Sequence, residues 1–136
     1  MTVSGTGLLT RLEAVLAVLG APVDQQRAWA DAQKVGVEEM ILQFFDFVPG
    51  WLSELRDAEV VDDADELAIL RLYVYLNQMR GRSDLLEKWS AVADAPEWRK
   101  VRELSVSALT CLRGSKATRA AQAIEHEKDV PYNTAP

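Results

Sequence analysis

Carboxylates are the groups on this chain whose types and spacing could do chemistry, and they are concentrated. Between residues 44 and 66, in the segment FFDFVPGWLSELRDAEVVDDADE, stand Asp46, Glu54, Asp57, Glu59, Asp62, Asp63, Asp65 and Glu66, against a single base, Arg56. Acids so grouped could bind a hard cation or share general acid–base work. A calcium loop starting at Asp57 would need glycine at its sixth position for the sharp turn, and Asp62 stands there. Acid–base catalysis needs two carboxylates set apart by their environments, and nothing in the spacing selects such a pair.

The other reactive side chains occur singly. His126 lies between Glu125 and Glu127 with no nucleophile to pair with, and a surface position is expected. Cys111 falls on an apolar helical stripe with Trp98, Val101, Leu104 and Ala108, where a thiol is expected to act as a small buried hydrophobe. One cysteine and one histidine cannot furnish a structural zinc site. No phosphate loop, nucleophile elbow, zinc-protease helix or dinucleotide fingerprint occurs. The expectation is a protein that is not an enzyme and carries no cofactor or metal.

One short motif points the other way. Asp62-Asp63-Ala64-Asp65-Glu66 has DDxxE spacing and resembles the aspartate-rich segment of isoprenoid synthases. Those are helical enzymes, so the resemblance implies a magnesium–diphosphate site facing a hydrophobic cavity. It covers five residues, the chain is far too short for that fold, and no second acidic motif follows downstream. The same acids have a simpler use at a helix start: Asp63 and Glu66 are spaced as a capping box, and acids favour the positive end of the helix dipole.

Directly before the acids comes a run of large apolar residues, Phe44, Phe45, Phe47, Val48 and Trp51. On a helix, positions 44, 45, 47 and 48 span well over a third of the circumference and cannot all face one core. Either a second helix covers the outer side or one of Phe45 and Phe47 is exposed. An exposed aromatic beside carboxylates has the makeup of a protein-binding surface: an apolar anchor within a charged rim that steers a basic partner. The expected partner surface is Asp46, Phe47, Trp51, Glu54, Asp57, Glu59, Asp62 and Asp63.

Helices must position these residues, because apolar spacing elsewhere follows threes and fours. Leu8, Leu9, Leu12, Val15, Leu16 and Leu19 predict a first helix stopped by Gly20 and Pro22. A second, capped by Asp24, should end near Gly36, and a third should span Val37 to Phe47. Pro49 suits a first turn, which predicts a short separate helix over Trp51 to Arg56. Next comes LAILRLYVYLNQMR, apolar on nearly every side, as a central buried helix would be. Tyr73 should belong to the core, with Tyr75 projecting beside Arg71 and Gln78. Ser83 caps a helix carrying Leu85, Leu86, Trp89 and Val92; Pro96 opens another ending at Gly114; Ser115 begins a last one to about Lys128. Glu59-Val60-Val61 is the only strand candidate. The fold expected is all-α, a single-domain compact bundle of about six to seven helices over residues 1–128, with a central buried helix near 63–80 and a flexible C-terminal tail over 129–136.

Composition narrows the class. With 136 residues, 49% hydrophobic and 26% charged, the chain suits one globular domain that buries roughly two-thirds of its unfolded surface. A single cysteine excludes an internal disulfide, and no apolar run spans a membrane, so a soluble cytoplasmic protein is expected. The net charge of −6 opposes nucleic acid, and no DNA partner is expected. Bases gather later, at Arg80, Arg82, Lys88, Arg99, Lys100, Arg102, Arg113, Lys116 and Arg119, with acids interleaved as on a solvated salt-bridged face. The reading is a non-enzymatic interaction module that binds a basic protein, in the manner of a small acidic bacterial immunity protein or antitoxin. The alternatives are a helical ligand-binding or metal-dependent domain with a pocket lined by Tyr73, Tyr75 and tryptophans, and a homo-oligomeric assembly subunit, for example a homodimer joined through the nearly all-apolar helix after Glu66 or the hydrophobic first helix.

Overall fold

Leucines repeating every three or four residues bury one face of the first helix, α1 (Gly5–Gly20), and the same logic builds most of the chain. The computed structural model describes residues 5–129, with side chains described over 7–114. Within it follow α2 (Val23–Gln33), α3 (Glu38–Asp57), α4 (Asp63–Met79), α5 (Ser83–Leu86), α6 (Trp89–Asp94) and α7 (Pro96–Asp129). The architecture is all-α, with no strand among the described residues; Glu59-Val60-Val61 is a turn. Most of the segment expected to be a tail lies outside the described residues.

One apolar core joins the elements. Leu12, Leu16 and Leu19 of α1 meet Met40, Ile41 and Phe44 of α3, Ile69, Leu72 and Leu76 of α4, and Trp98, Val101 and Leu112 of α7. The most extensive packing is α4 on α7 and α1 on α7, with α3 against α1. Gly20 lets α1 approach α7 closely: a Cβ there would sit 3.0 Å from the Val106 Cγ2. Gln26 is fully buried and donates its amide to the Val18 and Leu19 carbonyls at 3.0 and 3.1 Å, adding a donor at the end of α1, where the Val18 oxygen also accepts the Ala21 N–H at 3.2 Å.

Several boundaries differ from the expected ones, each for a local reason. α2 stops at Gln33 because Lys34, not Gly36, takes the left-handed position at φ 58°, and Val35 N–H reaches back to the Ala30 carbonyl at 3.0 Å. Pro49 does not open a new helix; it lies inside α3. The ring removes one backbone bond, yet Phe44, Val48, Leu52 and Leu55 continue a single buried face through it, and that packing keeps the two halves one helix. The helix expected from Ser83 is split into α5 and α6. The Leu85 carbonyl, which would accept from residue 89 in a continuous helix, instead accepts the Trp98 indole N–H at 2.7 Å. Gly114 does not interrupt α7, since a lone glycine amid helix-forming residues costs only about 1 kcal/mol.

α4 is less buried than its composition suggests. Asp65, Ile69, Leu72, Leu76 and Met79 face inward, but Leu67, Leu70 and Val74 are 51%, 43% and 56% exposed. α7 covers one side of α4 and α3 leans on a flank, which leaves the outer stripe uncovered. The capping box also sits one residue earlier than spacing suggested: the Asp62 carboxylate accepts from Asp65 N–H at 2.9 Å, and the Asp65 carboxylate accepts from Asp62 N–H at 3.1 Å. Asp63 and Glu66 turn instead to Arg56, at 2.7 and 3.2 Å.

Candidate partner-binding surface

α3 sorts its residues by face. With 3.6 residues per turn, Phe44, Val48, Leu52 and Leu55 point to the core. Phe45, Pro49 and Arg56 lie on the flank toward α4, while Phe47, Trp51 and Glu54 share the opposite flank. Asp46, Gly50, Ser53 and Asp57 follow the outer side, and all four are exposed.

Both ways of accommodating the aromatic run occur. Phe45 is half-buried by the second helix: its ring meets Tyr73 edge-on at 5.3 Å and Phe44 at 6.0 Å, with the Arg80 guanidinium 4.6 Å from its centroid. Phe47 is 48% exposed and stacks on the half-buried Trp51, with centroids 5.3 Å apart and rings 12° from parallel. Two aromatic rings thus form a raised platform on α3.

The expected surface residues divide into two groups. Asp46, Phe47, Trp51, Glu54 and Asp57 come together within three turns of one helix, and among the described residues no salt bridge engages these three acids. Glu59 follows at the end of α3, in the left-handed conformation at φ 58°. Asp62 is occupied as the α4 cap, and Asp63, though its side chain is 93% exposed, pairs with Arg56. The DDxxE acids therefore point to different partners. Asp65 is fully buried and accepts from the Cys111 thiol at 3.1 Å, and among the described residues no group of three His, Cys, Asp or Glu could hold a metal ion.

Cys111 differs from the simple buried hydrophobe expected. It is half-buried, and burial together with the hydrogen bond to Asp65 pushes its thiol up to about 11. Tyr73 joins the Phe44–Phe45 aromatic cluster, and Tyr75 is half-buried rather than projecting, its hydroxyl raised by burial and by the charge of Glu97. The basic residues have structural work. Arg102 donates to the Val92 carbonyl at 2.8 Å and Arg99 to the Asp94 carbonyl at 3.3 Å, tying the end of α6 to α7. Arg82 pairs with Asp84 and Glu97, and Lys100 with Glu103. His126, Lys116 and Arg119 lie outside the described side chains.

Pockets between helices exist, one lined by Tyr73 and another by Trp29. An apolar groove of about 120 Å³ runs between Phe44, Val48 and Leu52 of α3 and Ile69, Leu70 and Tyr73 of α4, with Pro49 at its rim. A second, of about 100 Å³, lies between α1, α2 and α3 beside Val15, Val18, Trp29 and Met40. Spacing alone does not reveal the first groove, because its walls read as ordinary core positions. No helix among the described residues is long and apolar enough to cross a membrane. Searches of family models, curated proteins and solved structures gave no match to this chain.

Proposed function

We propose that this protein is a non-enzymatic interaction module that captures a basic protein on the outer face of α3. The observation that carries the reading is the exposed Phe47–Trp51 stack, with Asp46, Glu54 and Asp57 on the same helix and, among the described residues, in no salt bridge. Carboxylates not engaged in a salt bridge keep their field available to a partner and steer its approach. A large apolar ring that is already partly ordered gives the complex an anchor at little entropic cost. Size, acidity and the scattering of reactive groups suit a small bacterial immunity protein or antitoxin, which would neutralise a basic toxin in the cytoplasm by covering its active surface.

The test compares wild type with Asp46→Lys/Glu54→Lys/Asp57→Lys and with Phe47→Ala, using the partner captured from the native host. Charge reversal should lower the association rate about tenfold and flatten its salt dependence, whereas Phe47→Ala should chiefly speed dissociation. A reversed variant that keeps its helical circular dichroism and associates at the wild-type rate sinks the proposal.

A further inference from the structure

We infer that the apolar groove between α3 and α4 is a second contact for the same kind of partner, seating one large apolar side chain that stands beside a lysine or arginine. This inference rests on the basic partner proposed above but uses a different flank of α3. The walls are Val48 and Leu52 on one side and Ile69, Leu70 and Tyr73 on the other, with no polar surface exposed inside. Its 120 Å³ is somewhat below the roughly 150 Å³ apolar cavity that holds a benzene, so a branched aliphatic group such as a leucine side chain is the occupant that suits it. Leu70 is 43% exposed, and Leu67 and Val74, at helical spacing on either side of it, extend the apolar surface along α4.

The ends of the groove carry opposite charges, which specifies the occupant. Glu66, Leu70 and Tyr73 share the α4 flank facing α3, so Glu66 stands about one turn, roughly 5–6 Å, from the groove wall. Around it at the α3–α4 turn lie Glu59, Asp62 and Asp63. Four acids against Arg56 leave a net charge of −3 at that end. At the far end Arg80 lies over Phe45. A segment that enters with its apolar residue in the groove and a base about one turn away toward Glu66 satisfies both features. A second copy of this chain does not, since each brings a net −6 and the same acidic turn.

The probe is an acetylated twelve-residue peptide with one leucine, two lysines one turn from it and otherwise neutral polar residues. It is titrated into full-length protein labelled at methyl groups and at the tryptophan indole nitrogens. Methyl signals of Leu52, Ile69 and Leu70 should shift saturably. Affinity should fall about tenfold with leucine replaced by alanine or the lysines by glutamate in the peptide, and likewise with Leu70→Lys in the protein. Leu70 is partly exposed, so Leu70→Lys should keep the fold, which circular dichroism checks. Groove signals that stay still, or that move equally for the alanine peptide, overturn the inference. If only the Trp51 indole signal responds, the groove has no role and the α3-face proposal stands. If the groove responds while reversal at 46, 54 and 57 leaves partner capture unchanged, the α3-face proposal falls and the groove remains.

Discussion

Glu59 occupies a backbone conformation that favours glycine, at φ 58° directly after α3. Its N–H bonds the Arg56 carbonyl and that of Val60 bonds Leu55, which closes the helix with a Schellman-like turn. A carboxylate at this position is costlier than the residue the turn prefers, and it stands beside the acidic surface. Glu59→Gly should therefore raise stability by about 0.5–1 kcal/mol in urea unfolding while weakening capture of a basic partner. A loss of stability would show that the side chain serves the turn itself. Cys111 makes a second residue-level case. Its folded-state thiol titrates near 11, above its ordinary value of 9.0, so between these values the unfolded chain releases a proton that the folded one keeps. Stability is fully present below pH 9 and declines as pH rises toward 11, and Tyr75, also raised, acts in the same direction. Alkylation of native Cys111 at pH 7.5 should be slow and should accelerate only in that alkaline window. Stoichiometric labelling within seconds at neutral pH would contradict this.

At the scale of elements, α3 carries the functional argument and also the largest departure from local rules. Pro49 deprives the Phe45 carbonyl of its usual donor and crowds it, yet the helix runs from Glu38 to Asp57 because four buried side chains keep one face continuous. Pro49→Ala restores the missing bond and should add about 1–3 kcal/mol, read as a higher urea midpoint at unchanged m-value. A lower midpoint would mean that the ring's packing at the groove rim outweighs the backbone term. The interruption at Leu86 has the opposite character. There Trp98, 13 positions beyond Leu85, takes the Leu85 carbonyl that a continuous helix would use. Helix existence was legible in the sequence wherever apolar residues recur at three and four. Breaks were not legible where a distant side chain imposed them, nor was continuity where tertiary packing overrode proline and glycine.

At the scale of the whole molecule, the same distinction governs what could be read of the surface. Charge position is a property of the chain, and the acidic stretch is visible directly. Exposure depends on which helices lie alongside. Sequence spacing narrowed the aromatic run to Phe45 or Phe47, and only the position of α4 beside Phe45 decides that Phe47 is the exposed ring. The apolarity of α4 suggested burial on all sides, while the actual packing leaves Leu67, Leu70 and Val74 at the surface. The Asp65–Cys111 contact joins residues 46 apart and has no sequence signature.

Two of the four tryptophans, Trp51 and Trp98, follow from this arrangement as separate optical reporters. Trp98 is fully buried with its indole N–H bonded, so its emission should change only when the bundle opens. Trp51 lies under Phe47 amid carboxylates, where caesium is drawn in and iodide is repelled. With Trp29 and Trp89 replaced by phenylalanine, fluorescence can thus follow opening of the bundle through Trp98 and occupancy of the α3 face through Trp51.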